Sequence, residues 1–220
     1  MTVTLAALNV GQVRAVVYHG RATDTAGAKQ PVERAWLGPE GLAGDTVADT
    51  QNHGGPDKAV CVYPADHYPF WEAHLGRKLT YGTFSENFTL AGLTEPEAAL
   101  GDVYAVGGAV VQVCQPRIPC YKLAGRLDDE GAPDLIHVNG KSGFYLRVLQ
   151  AGEVRLGDEL TLQARHPAGV TIQFVNEVLY HHRVDKASYD AILAVPEAAT
   201  VLRAIVRRKW QRLATNGETV

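Results

Sequence analysis

The sequence has little cysteine and no large excess of charge of either sign. Three cysteines among 220 residues are too few for a disulfide framework, and their odd number also argues against one, so we expect a reducing compartment. The chain has 21 Lys and Arg against 24 Asp and Glu, a formal net charge of −3. This near-balance gives no support to non-specific nucleic-acid binding or to a polybasic membrane surface.

Long apolar runs are also absent. The longest one, Val103 to Val111, is far shorter than the ~18 residues that a membrane-spanning helix needs. No basic residue precedes Arg14, and no apolar run near the start ends in a small-residue cleavage site, so the pattern of a signal peptide is missing. We therefore expect a cytoplasmic protein without a membrane or nucleic-acid partner.

The residues that are present suit one globular domain with a small addition. Hydrophobic residues make up 46% of the chain and charged residues 20%, which allows a sizeable core. Up to about Arg165 the apolar segments are short, rich in Val, Tyr and Leu, and bounded by Gly, Pro or Asp, as is typical of strands. We predict one helix at Pro64–Leu75 and strands at Val13–Tyr18, Lys58–Tyr63, Val103–Val106, Ala109–Cys114, Phe144–Leu149 and Glu159–Gln163.

A short motif occurs twice in this part of the chain. The residues Leu-Gly-Asp stand at positions 100–102 and 156–158, each time just before a predicted strand. Gly-Asp before a strand is typical of a turn. Two such units with many short strands between them favour a closed or partly closed β-barrel. The alternative is two unrelated turns.

After position 166 the apolar residues recur at helical spacing. Ile172, Val175 and Leu179 share one predicted face. Asp185 is a good N-cap for a second helix, and Pro196 stands where a third helix would begin. Basic residues crowd the last helix, where a solvated face is a better interpretation than an anionic docking surface.

This change of period predicts two domains. The first, over residues 1–166, is a mainly β domain, a β-barrel with a few short helices. The second, over residues 167–220, is a small three-helix C-terminal domain.

A glycine-rich segment carries polar chemistry. Residues 52–58 read NHGGPDK and place His53, two glycines and an acid–base pair within seven positions. Adjacent glycines let backbone N–H groups approach an anion closely, and Lys58 could supply charge to it. The alternative is a tight surface turn with an exposed ion pair between Asp57 and Lys58, and spacing alone slightly favours that alternative.

A proline-rich segment displays one cysteine. Residues 115–123 read QPRIPCYKL, so two prolines make the backbone rigid just before Cys120. The nearby cations Arg117 and Lys122 would lower the pKa of the thiol and favour the thiolate, which is both a nucleophile and a metal ligand. Cys61 and Cys114 lie in or beside predicted strands, where a small buried hydrophobic residue is the better interpretation. Cys120 is therefore the candidate reactive cysteine.

Taken in order, these segments resemble MOSC-domain proteins, and most closely the bacterial YiiM group. The matching motifs are GLAGD at 41–45, HGGPDKAV at 53–60, SENFTLAGL at 85–93, LGD at 100–102, QPRIPCYKL at 115–123 and SGFYLRVLQAGEVRLGD at 142–158. The resemblance covers about Val13 to Leu213. It implies a MOSC-type β-barrel with a cleft for molybdenum cofactor (molybdopterin), followed by a three-helix domain.

The resemblance also implies roles for single residues. In this family the cysteine at the position of Cys120 is regarded as the ligand to molybdenum or as a sulfur carrier, so Cys120 is the expected catalytic residue and metal ligand. The expected cofactor-binding residues are Lys29, His53, Gly54, Gly55, Asp57, Lys58, Asn87, Arg117 and Lys122. Two positions depart from the family pattern. Ser85 stands where many relatives have Gly, and Cys61 stands where an aromatic residue or His is common.

For the YiiM group the resemblance implies an oxidoreductase that reduces N-hydroxylated compounds such as 6-hydroxylaminopurine, a detoxifying step. No flavin or nicotinamide motif is visible, so we expect a separate flavoprotein reductase to supply the electrons. A homodimer is one option for the assembly. Pyridoxal phosphate is not expected, because in full-length sulfurases it belongs to a separate domain. Two alternatives stay open: a non-catalytic carrier of molybdenum cofactor or sulfur that uses Cys120, and a scaffold with a degenerate site.

Overall fold

Seven strands form a barrel at the centre of the fold. The computed structural model describes residues 2–18, 21–180 and 185–216, apart from the side chains of residues 21 and 216. Around the barrel the strands follow the order β13 (Glu159–Ala164), β9 (Val103–Val106), β10 (Ala109–Pro116), β11 (Phe144–Gln150), β7 (Val60–Pro64), β8 (Phe88–Ala91) and β1 (Val3–Val10).

Pairing between the first and last of these strands closes the barrel. Val3 of β1 lies opposite Leu160 of β13, so neither strand is left as an unpaired edge along this stretch. β7 and β8 run parallel, whereas the other neighbours in the barrel are antiparallel. The closed, mainly β barrel predicted from the sequence is confirmed.

Shorter strands lie around the barrel. β4 (Gln30–Pro31) extends the sheet beyond β1, and a separate hairpin consists of β2 (Arg14–Tyr18) and β3 (Arg21–Thr25). A three-stranded sheet consists of β12 (Gly152–Arg155), β5 (Arg34–Gly38) and β6 (Gly41–Leu42). Within the part of the chain that the structure describes, the hairpin pairs with no third strand.

Helices connect the strands and complete the C-terminal part. They are α1 (Thr50–His53), α2 (Tyr68–Leu75), α3 (Tyr121–Leu127), α4 (Ala132–Asn139), α5 (Ile172–Tyr180), α6 (Lys186–Leu193) and α7 (Thr200–Asn216). Two 3₁₀ turns, Pro56–Lys58 and Ala65–His67, precede β7 and α2. Over residues 2–18, 21–180 and 185–216, none of these helices has both the length and the apolar character needed to cross a membrane.

The repeated Leu-Gly-Asp motif forms the same turn twice. Gly101 and Gly157 have φ angles of 85° and 87°, a region that glycine enters without a steric penalty. Each following aspartate accepts a hydrogen bond from the backbone three residues earlier, Asp102 from Ala99 (3.1 Å) and Asp158 from the amide of residue 155 (2.7 Å). The strands that follow, β9 and β13, pair with each other. The two turns are therefore equivalent units of the barrel.

The C-terminal helices share one hydrophobic core with the barrel. Val175 of α5 and Leu202 of α7 belong to the same buried cluster as Val111 and Leu146 of the barrel. The backbone N–H of Ala199 donates to the carbonyl of Cys114 in β10 (2.9 Å). The helices therefore cover the barrel as an integral part of its core.

A second, smaller core supports the other end of the barrel. The rings of Tyr63 and Phe84 stack with centroids 3.9 Å apart, and Trp71 Nε1 donates to the Tyr63 hydroxyl (2.5 Å). Leu123 and Leu127 of α3 pack into this cluster. Because α3 follows directly after Cys120, this aromatic cluster fixes the position of the segment that carries the thiol.

Several predicted boundaries need correction. Lys58 lies in a 3₁₀ turn begun by Pro56, and β7 starts only at Val60. The predicted helix at 64–75 is a 3₁₀ turn followed by α2. Asp185 does cap α6, since its side chain accepts from the Ser188 amide. The third C-terminal helix, however, begins at Thr200 rather than at Pro196, because the preceding residues form a turn bound to the barrel.

We expect the barrel and the C-terminal helices to unfold together. Leu202 is 1% exposed, and its replacement by Ala should lower the free energy of unfolding by about 2–5 kcal/mol, with a single transition in urea. Val201→Ala is the matched control, because Val201 is 48% exposed on the same helix and should change stability by less than about 0.5 kcal/mol. A separate early transition of the helices in L202A would show that they fold independently of the barrel.

Candidate functional site

One cavity of about 400 Å³ contains most of the predicted site. The loops around α1, the hairpin β2–β3, the start of α3 and the barrel strand β11 all contribute to its lining. Of the ten residues predicted from the sequence, nine line it: Lys29, His53, Gly54, Gly55, Lys58, Asn87, Arg117, Cys120 and Lys122. The tenth, Asp57, does not line it. Residues that are far apart in sequence are thus brought to one place by the fold.

Cys120 lies at the N-terminus of α3, as its N-cap residue, with φ −125° and ψ 166°. It is half-buried, whereas Cys61 and Cys114 are buried. Burial by itself would raise the pKa of the Cys120 thiol. A hydrogen bond with His53 and the charge of Arg117 outweigh that effect and lower the pKa to about 7. Half of this thiol is therefore thiolate near neutral pH.

The other two thiols differ from it. Burial raises the pKa of Cys114 to about 12 and raises the pKa of Cys61 as well. Both are buried, as predicted. Cys61 nevertheless reaches the lining of the cavity, which its position in a strand did not indicate. Within the described chain, Cys120 is the only cysteine whose pKa lies near neutrality.

Arg117 is a buried cation in the wall of the cavity. It is 8% exposed, and its Nη1 has no hydrogen-bond partner among the described residues. Burial alone would lower the pKa of the guanidinium, because it disfavours the charged form. The neighbouring groups of Cys61, Tyr145 and Cys120 favour the charged form and raise the pKa. An unpartnered guanidinium nitrogen in a cavity wall is suited to an anionic ligand, because an anion would satisfy both its charge and its donor.

The NHGGPDK segment forms one edge of the cavity. Asp49 caps α1 by accepting from the Asn52 amide (3.0 Å), and the chain then turns at Gly55, whose φ of 90° favours glycine. Lys58 Nζ donates to the carbonyl of Asn52, which closes the turn. Burial lowers the pKa of Lys58.

Asp57 faces the barrel instead of the cavity. Its carboxylate accepts from Arg147 Nε (2.9 Å) and pairs with Arg147 Nη2 (2.7 Å), and its carbonyl accepts from Gln115 Nε2 (2.8 Å). The alternative that the sequence slightly favoured, an exposed ion pair between Asp57 and Lys58, is therefore wrong. The sequence suggested that pair because the two residues are adjacent, but the 3₁₀ turn directs them to different partners. Asp57 holds the loop on β10 and β11.

A buried polar network holds the opposite wall. Asp45 accepts from Lys29 Nζ with both carboxylate oxygens (2.6 and 2.7 Å), from the Gly11 amide (2.6 Å) and from Asn87 Nδ2 (2.8 Å). Asn87 Oδ1 in turn accepts from the Cys61 amide (3.1 Å). Lys29 and Asn87 thus line the cavity while their polar groups bind other parts of the protein.

Some lining residues were missed by the sequence prediction. Asp45 belongs to the GLAGD motif, and that motif was the available signal for it. Tyr145 of β11 belongs to the SGFYLRVLQAGEVRLGD motif, which was the available signal for it. Tyr18 and Thr25 come from the hairpin, and no short motif marks these two. Lys122, which was predicted, lines the cavity but also donates to the carbonyl of Asp24 (3.2 Å).

The described side chains around the cavity do not form a metal site by themselves. Over the described residues, no three His, Cys, Asp or Glu side chains are grouped so that they could hold a metal ion. The cavity lining includes one low-pKa thiol, the imidazole of His53, several cations and the acidic residues Glu40, Asp45 and Asp49. These described side chains alone do not supply a ligand set for a bare metal ion.

Comparisons with known proteins identify similar sequences and structures. The MOSC domain family model matches residues 49–161. The protein YflK of Bacillus subtilis (strain 168) is 43% identical over 207 residues, or 94% of each chain. Protein YiiM of Escherichia coli (strain K12) is 36% identical over 157 residues, or 70% of each chain.

A further relative and a solved structure extend the comparison. A protein of Gibberella moniliformis named "Reductase" is 29% identical over 162 residues, which is 72% of this chain and 29% of that protein. The crystal structure of YiiM from Geobacillus stearothermophilus superposes with a TM-score of 0.81 at 36% identity. The match covers 94% of this chain and 99% of that one.

The pKa of Cys120 predicts the pH dependence of its alkylation. The rate with iodoacetamide should rise with pH and reach half of its maximum near pH 7, because the thiolate is the nucleophile. Cys120→Ser should remove this fast reaction and leave two slow thiols. His53→Ala should move the midpoint to higher pH, because His53 lowers the pKa. Alkylation of the wild type with a midpoint near pH 9 would contradict the described environment.

Asp45 should be essential for stability. Asp45→Asn leaves Lys29, whose side chain is 7% exposed, without its counter-ion, and should lower the free energy of unfolding by about 3–5 kcal/mol. The measurement is urea unfolding at pH 7. Asp190→Asn, in the exposed pair with Lys186, is the matched control and should cost at most about 1 kcal/mol. Equal effects of the two variants would contradict a buried network.

Proposed function

Because the chain belongs to the MOSC domain family, we propose that it binds molybdenum cofactor in the cavity around Cys120 and reduces N-hydroxylated compounds. The expected substrates include 6-hydroxylaminopurine, and the electrons would come from a separate flavoprotein reductase. The family is associated with molybdenum cofactor. The name "Reductase" of the Gibberella moniliformis relative adds support for a redox role.

One observation carries the proposal, namely a low-pKa thiol beside a buried guanidinium whose Nη1 lacks a hydrogen-bond partner among the described residues. Arg117 Nη1 is unpartnered within the described chain, and the cofactor's phosphate would provide an acceptor for it. Lys58 and Lys122 line the same cavity and add positive charge. The thiolate of Cys120 is a soft ligand that suits a soft, redox-active metal. The residues present therefore fit the cofactor.

Each residue has a defined task in this scheme. Arg117, Lys58 and Lys122 would bind the anionic part of the cofactor, and Cys120 Sγ would bind its metal. His53 hydrogen-bonds the Cys120 thiol, so it favours loss of the Sγ proton before the metal is bound. The wall of the cavity is held in place by Asp45, Asn87 and Lys29, which do not need to contact the cofactor.

The overall chemistry balances as a two-electron reduction. An N-hydroxylated amine takes up two electrons and two protons and gives the amine and water. When bound, the cofactor supplies the two-electron redox centre for this step. The protein orients the substrate in the cavity, and the flavoprotein donor restores the electrons after each turnover.

The proposal is tested by expressing the protein in a host that makes molybdenum cofactor. Wild type should retain molybdenum and, with a flavoprotein reductase and its nicotinamide donor, convert 6-hydroxylaminopurine to adenine. Cys120→Ser should lose most of the metal and at least 100-fold of the turnover, because the proposed ligand is removed. Molybdenum content is measured by elemental analysis and product by chromatography.

Cys114→Ser is the matched control, because Cys114 is buried outside the cavity lining and a serine hydroxyl can still donate to the Asp57 carbonyl that Cys114 Sγ contacts. It should keep both metal and turnover. Stoichiometric cofactor transfer without turnover of any hydroxylamine or amidoxime would instead support the carrier function. Protein without molybdenum, although Cys120 is intact, would contradict both.

A further inference from the structure

Tyr18 brings an aromatic ring to the cavity from the hairpin β2–β3. It lines the cavity together with Thr25. Along β2 the side chains alternate, with Val16 and Tyr18 partly buried and Ala15 and Val17 exposed. One face of the hairpin therefore lies against the protein, and Tyr18 is at the end of that face.

Gly125 leaves the space that this ring occupies. A Cβ atom at position 125 would lie 2.6 Å from Tyr18 Cγ and 2.7 Å from Tyr18 Cβ, well inside van der Waals contact. Position 125 is inside α3 and does not have a positive φ, so backbone conformation does not require glycine there. Glycine inside a helix is unfavourable, and the contact with Tyr18 explains why it is present.

The same helix holds the thiol and the ring. Cys120 caps α3 and Gly125 follows five residues later, about 7.5 Å along the helix axis. Lys122 Nζ donates to the carbonyl of Asp24 in β3 (3.2 Å), and the guanidinium of Arg126 interacts with Tyr18. Three residues of α3 thus fix the hairpin, so the spacing between the Cys120 thiol and the Tyr18 ring is set by one rigid element.

The lining of the cavity also includes apolar side chains. Val47 and Ile118 also line the cavity and are partly exposed to it or to solvent, which adds apolar surface. Resting on the proposed function, we propose that Tyr18 is a specificity-determining residue. Its ring stacks on planar aromatic N-hydroxylated substrates and favours them over small non-aromatic hydroxylamines, and Gly125 sets the position of the ring.

The test measures binding directly, so that it does not depend on turnover. The dissociation constants of 6-hydroxylaminopurine and of N-hydroxyurea are measured by calorimetry on cofactor-loaded protein. Tyr18→Ala should raise the dissociation constant of the purine about tenfold, because base–aromatic stacking is lost. That of N-hydroxyurea should change less than twofold. Tyr18→Phe keeps the ring and should bind the purine within threefold of wild type.

Further variants separate this role from a structural one. Gly125→Ala should displace the ring and reproduce the selective loss seen in Tyr18→Ala. Tyr121→Ala, which removes a ring that is 64% exposed at the start of α3, is the matched control and should bind both ligands like wild type. Molybdenum content, measured for every variant, shows that the cofactor site is intact.

Three results would overturn the inference. One is unchanged purine binding in Tyr18→Ala, and another is an equal loss for both ligands. Absence of purine binding by the wild type would also reject it. If the wild type binds the purine in a Tyr18-dependent manner but does not reduce it, the proposed reaction fails while the recognition role of Tyr18 stands.

Discussion

The site depends on the hydrogen bonds that the Asp45 carboxylate accepts. This carboxylate receives four hydrogen bonds, two from Lys29 Nζ and one each from the Gly11 amide and Asn87 Nδ2. These groups come from the end of β1, the loop before β4 and the segment before β8. A single buried anion thus joins three separate pieces of backbone. Because a buried charge is costly when unpaired, this set of partners strongly favours one arrangement of the loops.

Asn87 extends this network into the barrel. Its amide binds the carboxylate of Asp45 on one side and the backbone of Cys61 in β7 on the other. The preceding residue, Glu86, is fully buried, and its Oε1 accepts from Tyr68, Gly82 and Thr89. The end of the barrel near the cavity is therefore held by polar groups, whereas its interior is held by aliphatic packing.

The helix α3 connects this framework to the reactive group. Leu123 and Leu127 bury its apolar side in the aromatic cluster, while its N-terminus presents Cys120 to the cavity. Next to the thiol lies Arg117, a cation that the barrel buries and leaves with a free donor. The apolar side of this short helix contributes to stability, and its N-terminus carries the reactive thiol. Packing fixes where the thiol is, and nearby charges set its protonation.

Much of the fold could be predicted from short-range patterns. Short runs rich in Val, Tyr and Leu and bounded by turn residues indicated strands such as β9 and β13, because these residue types favour strands and the turn residues end them. The prediction did not include the strands β1, β3, β4, β5, β6, β8 and β12 or the helices α1, α3 and α4. β4 and β6 have only two residues each, too few for a sequence pattern, and β4 pairs with the distant strand β1. The start of α7 was missed because residues 196–198 form a turn and Ala199 donates to Cys114 of the barrel.

The sequence by itself determined which chemistry is present. The rigid Pro-Arg-Ile-Pro-Cys segment indicated a reactive thiol, since reactivity depends on local backbone and neighbouring charge. The paired glycines of NHGGPDK left two interpretations open, an anion-binding loop and a surface turn. Only the tertiary structure decided which residues meet. It paired Asp57 with Arg147, gave Lys29 to Asp45 and placed Tyr18 on Gly125. Such partners are separated by up to 107 positions in the sequence. Local sequence patterns cannot predict these contacts, because the residues meet only when the barrel closes.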